Sequence, residues 1–137
     1  RTWFYPAGFG TLGCALPDAI GAKLALPQRQ VLALVGDGGF MFTVNELATA
    51  VEESLSIPVV IWHNHCYAMI RDGMVKRGIP EIGVNPVAPD FVKLADAFDC
   101  PGRNVRNESE FREALRKAFD HAGPSLIIVT ENDPWLT

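Results

Sequence analysis

Two short stretches of this 137-residue chain combine residue types that can hold an anion and a cation together. The first is Gly36-Asp37-Gly38-Gly39. Glycines let a backbone approach a ligand closely and leave its N–H groups free to point at oxyanions. Such N–H groups near a helix N-terminus suit a phosphate. Asp37 sits among them, and a carboxylate beside a phosphate repels it unless a cation lies between the two. Magnesium fits, because it is hard and commonly bridges one or two carboxylates and phosphate oxygens. The second stretch is Trp62-His63-Asn64-His65-Cys66-Tyr67, where the Asn64 side chain offers a neutral carbonyl oxygen as a second ligand. Taken alone, Gly-Asp-Gly equally describes a tight strand-to-helix turn with a capping Asp, and asparagine is an ordinary turn residue.

The elements needed to position these groups are legible as a strand–helix alternation. Leu16, Ile20 and Leu24 recur at helical spacing behind Pro17. Val31–Val35 is a continuous apolar run and predicts a buried parallel strand. Thr43 and Glu46 form a capping-box pattern, with Val44, Leu47, Ala48, Val51 and Leu55 on one helix face. Pro58–Trp62 predicts a second buried strand. Residues 66–88 read as irregular, with a short helix over Tyr67–Met74. Asp90 caps a helix carrying Phe91, Leu94, Ala95 and Phe98, and a short strand follows at Arg103–Arg106. Asn107 and Glu110 start a further helix, with Phe111, Ala114, Leu115, Ala118 and Phe119 inward, and Gly123-Pro124 turns into a last strand, Ser125–Thr130. The alternation predicts a three-layer α/β/α fold with a mostly parallel central sheet. Ligands of such sheets sit at the carboxyl ends of strands, which are Gly36 onward and His63 onward here. Neighbouring strands lie ~5 Å apart, which would bring Asp37 and Asn64 together.

Composition bounds the function class. Net charge is −4, with 12 basic and 16 acidic residues and no basic run, which argues against a nucleic-acid partner. The longest apolar run, Ile57–Trp62, contains a proline and is far too short to span a bilayer. Cys14, Cys66 and Cys100 are widely spaced, with no CxxC pair, so reduced thiols in a cytoplasmic protein are expected rather than a disulfide framework or zinc site. The chain begins at Arg1, without a visible signal peptide, and is expected to be one domain cut from a longer multi-domain protein.

The motif Gly36-Asp37-Gly38, closed by Asn64 at 27 positions from Asp37, resembles the thiamine diphosphate-binding motif. The preceding segment Gly10-Thr11-Leu12-Gly13-Cys14-Ala15-Leu16-Pro17-Asp18-Ala19-Ile20-Gly21-Ala22 resembles the acetolactate synthase pattern, and Pro124 to Leu136 looks like the usual close of this domain. The chain is thus similar, over nearly its whole length, to the diphosphate-binding domain of the acetolactate synthase and 2-oxo-acid decarboxylase group (benzoylformate and pyruvate decarboxylase-like) of thiamine diphosphate enzymes. The resemblance implies thiamine diphosphate and Mg2+ as cofactors. It assigns Asp37 and Asn64 as side-chain ligands and Cys66 as a backbone-carbonyl ligand. It places Gly36, Gly38, Gly39 and Tyr67 with the cofactor, Gly38 and Gly39 through backbone contacts to the diphosphate. Gly10 matches the carbonyl that meets the aminopyrimidine, Leu12 the bulky residue that keeps the cofactor bent, and Met69 an apolar residue on its reactive side. The implied chemistry is attack of a cofactor ylid on a 2-oxo acid, decarboxylation, then protonation or carboligation.

The sequence departs from that pattern in three places. His63 replaces the first residue of the usual Asn-Asn, Cys66 replaces a frequent glycine, and Ile70 stands where pyruvate decarboxylases have a catalytic glutamate. The last argues against a simple pyruvate decarboxylase. The segments Ile70–Met74, Arg77–Pro80 and Ile82–Val84 loosely resemble decarboxylases of larger or basic 2-oxo acids, such as 5-guanidino-2-oxopentanoate. His63 and His65 flank the metal ligand as candidate acid/base groups, although the family takes such histidines from other domains. Glu46 is read as a helix cap rather than an activating glutamate, because the family places that glutamate on a pyrimidine-binding domain of a neighbouring subunit. No catalytic residue is therefore assigned within these 137 residues, and the active protein is expected to be a homodimer or homotetramer. Phe40, Met41 and Phe42 are read as core or partner-domain surface. Arg71, Asp72, Lys76 and Arg77 are read as a solvated loop, and Trp3, Trp62 and Trp135 as packing residues. Two alternatives remain at this point: a non-catalytic scaffold that kept the fold, and a haloacid dehalogenase-like phosphohydrolase. The second lacks the Asp-x-Asp nucleophile motif it would need.

Overall fold

A computed structural model describes residues 3–136. Four strands form one sheet in the order β1-β2-β4-β3, with every pairing parallel: β1 Ala33–Gly36, β2 Ile57–His63, β3 Gly102–Val105 and β4 Pro124–Thr130. The helices are α1 Ala15–Ala25, α2 Asp37–Met41, α3 Glu46–Glu52, α4 Ala68–Lys76, α5 Phe91–Ala97 and α6 Glu108–Asp120, and a 3-10 turn, Pro134–Leu136, ends the described chain. The expected three-layer α/β/α class holds among these residues.

The central strands carry apolar side chains on both faces, because helices cover both. On one face Val59, Ile61, Leu126 and Ile128 pack against Leu16, Ile20, Leu47, Ala50, Phe91 and Ala95 from α1, α3 and α5. On the other, Val60, Ile127, Val129 and Val105 meet Ala114 and Ala118 of α6. Each fully buried Leu or Ile contributes roughly 1.5–3 kcal/mol of transfer free energy. Small residues on α6 let its axis approach the sheet, and its outer face is solvated by the pairs Arg112–Glu108, Arg116–Asp120 and Lys117–Glu113.

Several element expectations need correction. β1 starts and ends later than Val31–Val35, and it lies at the sheet edge with Leu32 and Leu34 exposed; only its Ala33 face is buried. The helix expected from Thr43 starts at Glu46 without a side-chain cap. The Thr43 hydroxyl donates instead to the Gly13 carbonyl at 2.7 Å, a tertiary partner that outcompetes the local one. On that helix Ala50, not Ala48, is buried, and Leu24 of α1 is exposed. Arg71, Asp72 and Lys76 belong to helix α4 rather than to a loop. Trp3 is exposed, whereas Trp62 bonds Glu131 and Trp135 stacks near Phe111. Two caps form as read. Asp90 accepts from Val92 and Lys93 N–H. At α6, Asn107 Oδ1 accepts from Glu110 N–H at 2.8 Å while Glu110 accepts from Arg106 N–H at 3.0 Å, a reciprocal arrangement that satisfies two otherwise orphaned donors.

Candidate functional site

The parallel pairing of β1 and β2 places Gly36 opposite Trp62, so the two strands deliver Asp37 and the His63–Cys66 turn to the same carboxyl edge. Asp37 is the first residue of α2, with Gly36 as an extended N-cap, so a helix begins six residues before the one expected from Thr43. Its side chain turns back to the helix start: Oδ1 accepts from Gly38 N–H at 2.7 Å. Oδ2 accepts from His65 N–H at 2.8 Å, which ties the β1 end to the β2 end. His65 makes that contact from a left-handed backbone, φ 61, a conformation that histidine adopts more readily than most residues. Nothing in the sequence marked His65 for this backbone role.

Asp37 is only 4% exposed. Buried carboxylates are normally paired with a cation or coordinate a metal. No Lys or Arg ion-pairs with Asp37 among the described residues; its ion-pair partner there is His63, whose Nε2 lies 3.6 Å from Oδ2. Burial, and next the neighbouring His65, hold the His63 imidazole below its ordinary pKa, against the opposing pull of Asp37. Near neutral pH the ring is therefore a poor counter-charge for Asp37. The adjoining donors suit a hard ion. Asn64 Oδ1 accepts from Cys66 N–H at 3.2 Å and retains a second lone pair. Cys66 keeps a negative φ, so its carbonyl can be offered without the glycine usual at that place. No cluster of three His, Cys, Asp or Glu side chains able to hold a metal exists among the described residues. One carboxylate plus amide and backbone oxygens is a donor set for magnesium.

Of the glycines at 36, 38 and 39, contact requires only Gly38; a side chain at the other two would meet ordinary packing distances or open space. A Cβ on Gly38 would fall on the ring of Tyr67, with Cδ1 at 2.8 Å. A Cβ on Gly39 would meet Val35 at 3.4 Å and Leu12 at 3.7 Å. Gly13, at φ 88, lies under Phe42 and Thr43, so the Gly10–Gly13 turn is packed onto the segment that follows the Gly-Asp-Gly motif. The structure thus brings Leu12, Gly38, Gly39, Asp37, Asn64, Cys66 and Tyr67 into one neighbourhood. Gly10 sits at φ 57 in an exposed turn, and Met69 is 91% exposed at the start of α4. Neither forms a hydrogen bond or ion pair with Asp37. Phe40 is buried in the core while Met41 and Phe42 are exposed, so that segment splits between its two expected roles. Arg71 reaches back from α4 to the Cys66 sulfur at 3.2 Å and pairs with Asp72, and Tyr67 N–H donates to Val84 O at 2.8 Å, which folds the following loop onto the turn. Two clefts, of about 420 Å³ beside Arg103 and Arg106 and about 310 Å³ beneath α6, lie away from Asp37 and Asn64. No helix among the described residues is long and apolar enough to cross a membrane.

Residues 1–129 match the family described as thiamine pyrophosphate enzyme, C-terminal TPP binding domain. The chain is 47% identical over 128 residues to a probable 2-ketoarginine decarboxylase of Pseudomonas aeruginosa, covering 93% of this chain and 23% of that protein. It is 35% identical over 129 residues to a probable acetolactate synthase large subunit of Methanococcus aeolicus, covering 93% and 22%. Among solved structures, a thiamine diphosphate-dependent 4-hydroxybenzoylformate decarboxylase of Rhodococcus jostii superposes with a TM-score of 0.85 at 32% identity, covering 94% of this chain and 24% of that one. A benzoylformate decarboxylase of Polynucleobacter necessarius superposes at 0.78 and 25% identity, covering 89% and 24%. The chain therefore spans about a quarter of the length of the relatives it matches. The fold, the Gly-Asp-Gly edge and these matches agree, and the chain belongs to the family of C-terminal, thiamine pyrophosphate-binding domains of thiamine pyrophosphate enzymes.

Proposed function

We propose that this domain holds Mg2+ and thiamine diphosphate within a longer, multi-domain enzyme that decarboxylates a 2-oxo acid. The observation that carries the reading is the buried Asp37 carboxylate, fixed by Gly38 and His65 N–H groups and without a Lys or Arg counter-charge among the described residues. Asp37, Asn64 and the Cys66 carbonyl would hold the metal, and Gly36, Gly38 and Gly39 would let the backbone approach the diphosphate. Leu12, against Gly39, would wall the cofactor from one side, with Gly10, Tyr67 and Met69 along its length. The bound cofactor supplies the carbanion-stabilising chemistry. This chain's own part would be to bind and orient it.

The substrate class we favour is a 2-oxo acid with a basic side chain. The resemblance of Ile70–Met74 and the loop after it to such decarboxylases is supported by the 47% identity to a protein named for 2-ketoarginine. Carboligation is the second reading, favoured by the acetolactate synthase relative at 35%. The enzyme would work as a homodimer or homotetramer, in which a pyrimidine-binding domain of the same or a neighbouring subunit supplies the activating glutamate. A non-catalytic scaffold would have had no need to keep Asp37, Asn64 and the Gly10–Leu12 turn together. The phosphohydrolase alternative is set aside by the family match.

The test is carbon dioxide release by the full-length protein, with Mg2+ and thiamine diphosphate, from pyruvate, benzoylformate and 5-guanidino-2-oxopentanoate. Turnover fastest with the guanidino acid is expected. Full occupancy by the cofactor without release from any 2-oxo acid would refute the decarboxylase reading.

A further inference from the structure

We propose that His63 is a positioning residue for the metal site: its Nε2–H donates to Asp37 Oδ2 and sets the rotation of that carboxylate toward the cation. This rests on the reading above that Asp37 holds a divalent ion.

His63 closes β2, and its ring is held on two sides. The His65 ring lies 3.8 Å away, tilted by 41°. The Phe91 ring meets it edge-on at 5.3 Å and 85°, and Phe91 is itself locked in the core against Phe40 at 5.8 Å. An imidazole clamped in this way has little freedom to swing. Its Nε2 is shielded from solvent and has no hydrogen-bond partner at bonding distance. The carboxylate oxygen beside it is Asp37 Oδ2, at 3.6 Å. That separation is too long for a hydrogen bond, yet only a few tenths of an ångström of carboxylate movement would make it one. A buried nitrogen left unpaired is costly, which drives that closure.

The consequence for the metal follows from how Asp37 is otherwise held. Both of its oxygens accept backbone N–H groups, one from Gly38 in the first turn of helix α2 and one from His65 at a left-handed bend. A third donor, on the last residue of β2, adds a side-chain reference beside the two backbone donors. Partners of this kind, bound to a ligand rather than to the ion, typically govern metal affinity by 10–100-fold. The competing arrangement is direct ligation by Nε2, because nitrogen and oxygen 3.6 Å apart could also face one ion. Imidazole would then favour a softer metal than Mg2+.

The experiment titrates Mg2+, and separately Mn2+, into the full-length protein with saturating thiamine diphosphate, read by tryptophan fluorescence. It compares wild type, His63→Met, which removes the donor, His63→Gln, which returns an N–H near the same place, and Asp37→Ala. Circular dichroism and melting curves confirm that each variant is folded. Mg2+ affinity about 10-fold or more weaker in His63→Met is expected, by the same factor for Mn2+, recovered to within about threefold in His63→Gln, and absent in Asp37→Ala. Folded His63→Met protein binding Mg2+ as wild type does, while Asp37→Ala fails, would overturn the role of His63 and leave the metal site standing. A loss far larger for Mn2+ and not recovered by Gln would also overturn it, by making His63 a ligand. Wild-type protein with no metal response would overturn both readings.

Discussion

Gly38→Ala is the substitution whose effect the geometry specifies most closely. The three atoms nearest to an added Cβ, outside its own helix, all belong to the Tyr67 ring, the third of them at 3.3 Å. The alanine methyl and the ring cannot both keep their places. Overpacking of this kind costs about 1–3 kcal/mol. Gly38 lies in α2, where alanine is favoured over glycine by about 0.5–1 kcal/mol. The difference leaves a net penalty of about 0–2.5 kcal/mol, centred near 1.3 kcal/mol. Without ligand the site can relax by moving Tyr67 or the turn, so cofactor binding must reverse that relaxation. Affinity of the full-length protein for thiamine diphosphate in excess Mg2+ should fall roughly tenfold. A double-mutant cycle isolates the cause. In a Tyr67→Ala background the same Gly38→Ala change should alter affinity by less than about twofold. An equal loss in both backgrounds, measured by isothermal titration, would refute the argument that the Tyr67 ring is what excludes a side chain at position 38.

Other regions give independent expectations. The Cys100 thiol is buried in the core, and that desolvation pushes it up to about 11 from 9.0, with a smaller push from Asp99. Native protein should therefore resist iodoacetamide at Cys100 at pH 8 and react there after denaturation, as peptide mass mapping would show. Because the folded value lies above the unfolded one, its contribution is present below pH 9 and is lost as pH rises through 11, roughly 2–3 kcal/mol in all; alkaline melting curves of a Cys100→Ala variant should lack that decline. Asn107→Ala removes the acceptor for Glu110 N–H and should destabilise the first turn of α6 by about 1 kcal/mol. Hydrogen exchange over Glu108–Phe111 should then quicken about fivefold, and unchanged exchange would contradict the cap assignment.

The sequence exposed the parts of the fold that local physics decides. β2 and β4 are continuous apolar runs because both of their faces are covered, and α6 announces itself through Asn107, Glu110 and the spaced apolar face of Phe111, Ala114, Leu115 and Ala118. The meeting of Asp37 with the turn after β2 was legible because parallel adjacency of two strands brings their carboxyl ends together. Features decided by distant partners were not legible. Thr43 and Glu46 have the spacing of a cap, yet Gly13, 30 residues earlier, takes the hydroxyl. The apolar run at 31–35 gave no sign that β1 would be an edge strand with Leu34 uncovered. The left-handed turn at His65, which supplies one of the N–H groups on Asp37, depends on backbone geometry that its side chain does not encode.

The proposed function requires Asp37 to anchor a divalent ion that in turn holds the anionic end of thiamine diphosphate. Isothermal titration of the full-length protein with thiamine diphosphate, in Mg2+ and in excess chelator, for wild type and Asp37→Ala, tests it directly. Tight binding is expected only for wild type with Mg2+. Wild-type affinity that survives the chelator, or Asp37→Ala protein that binds as tightly as wild type, would contradict the account.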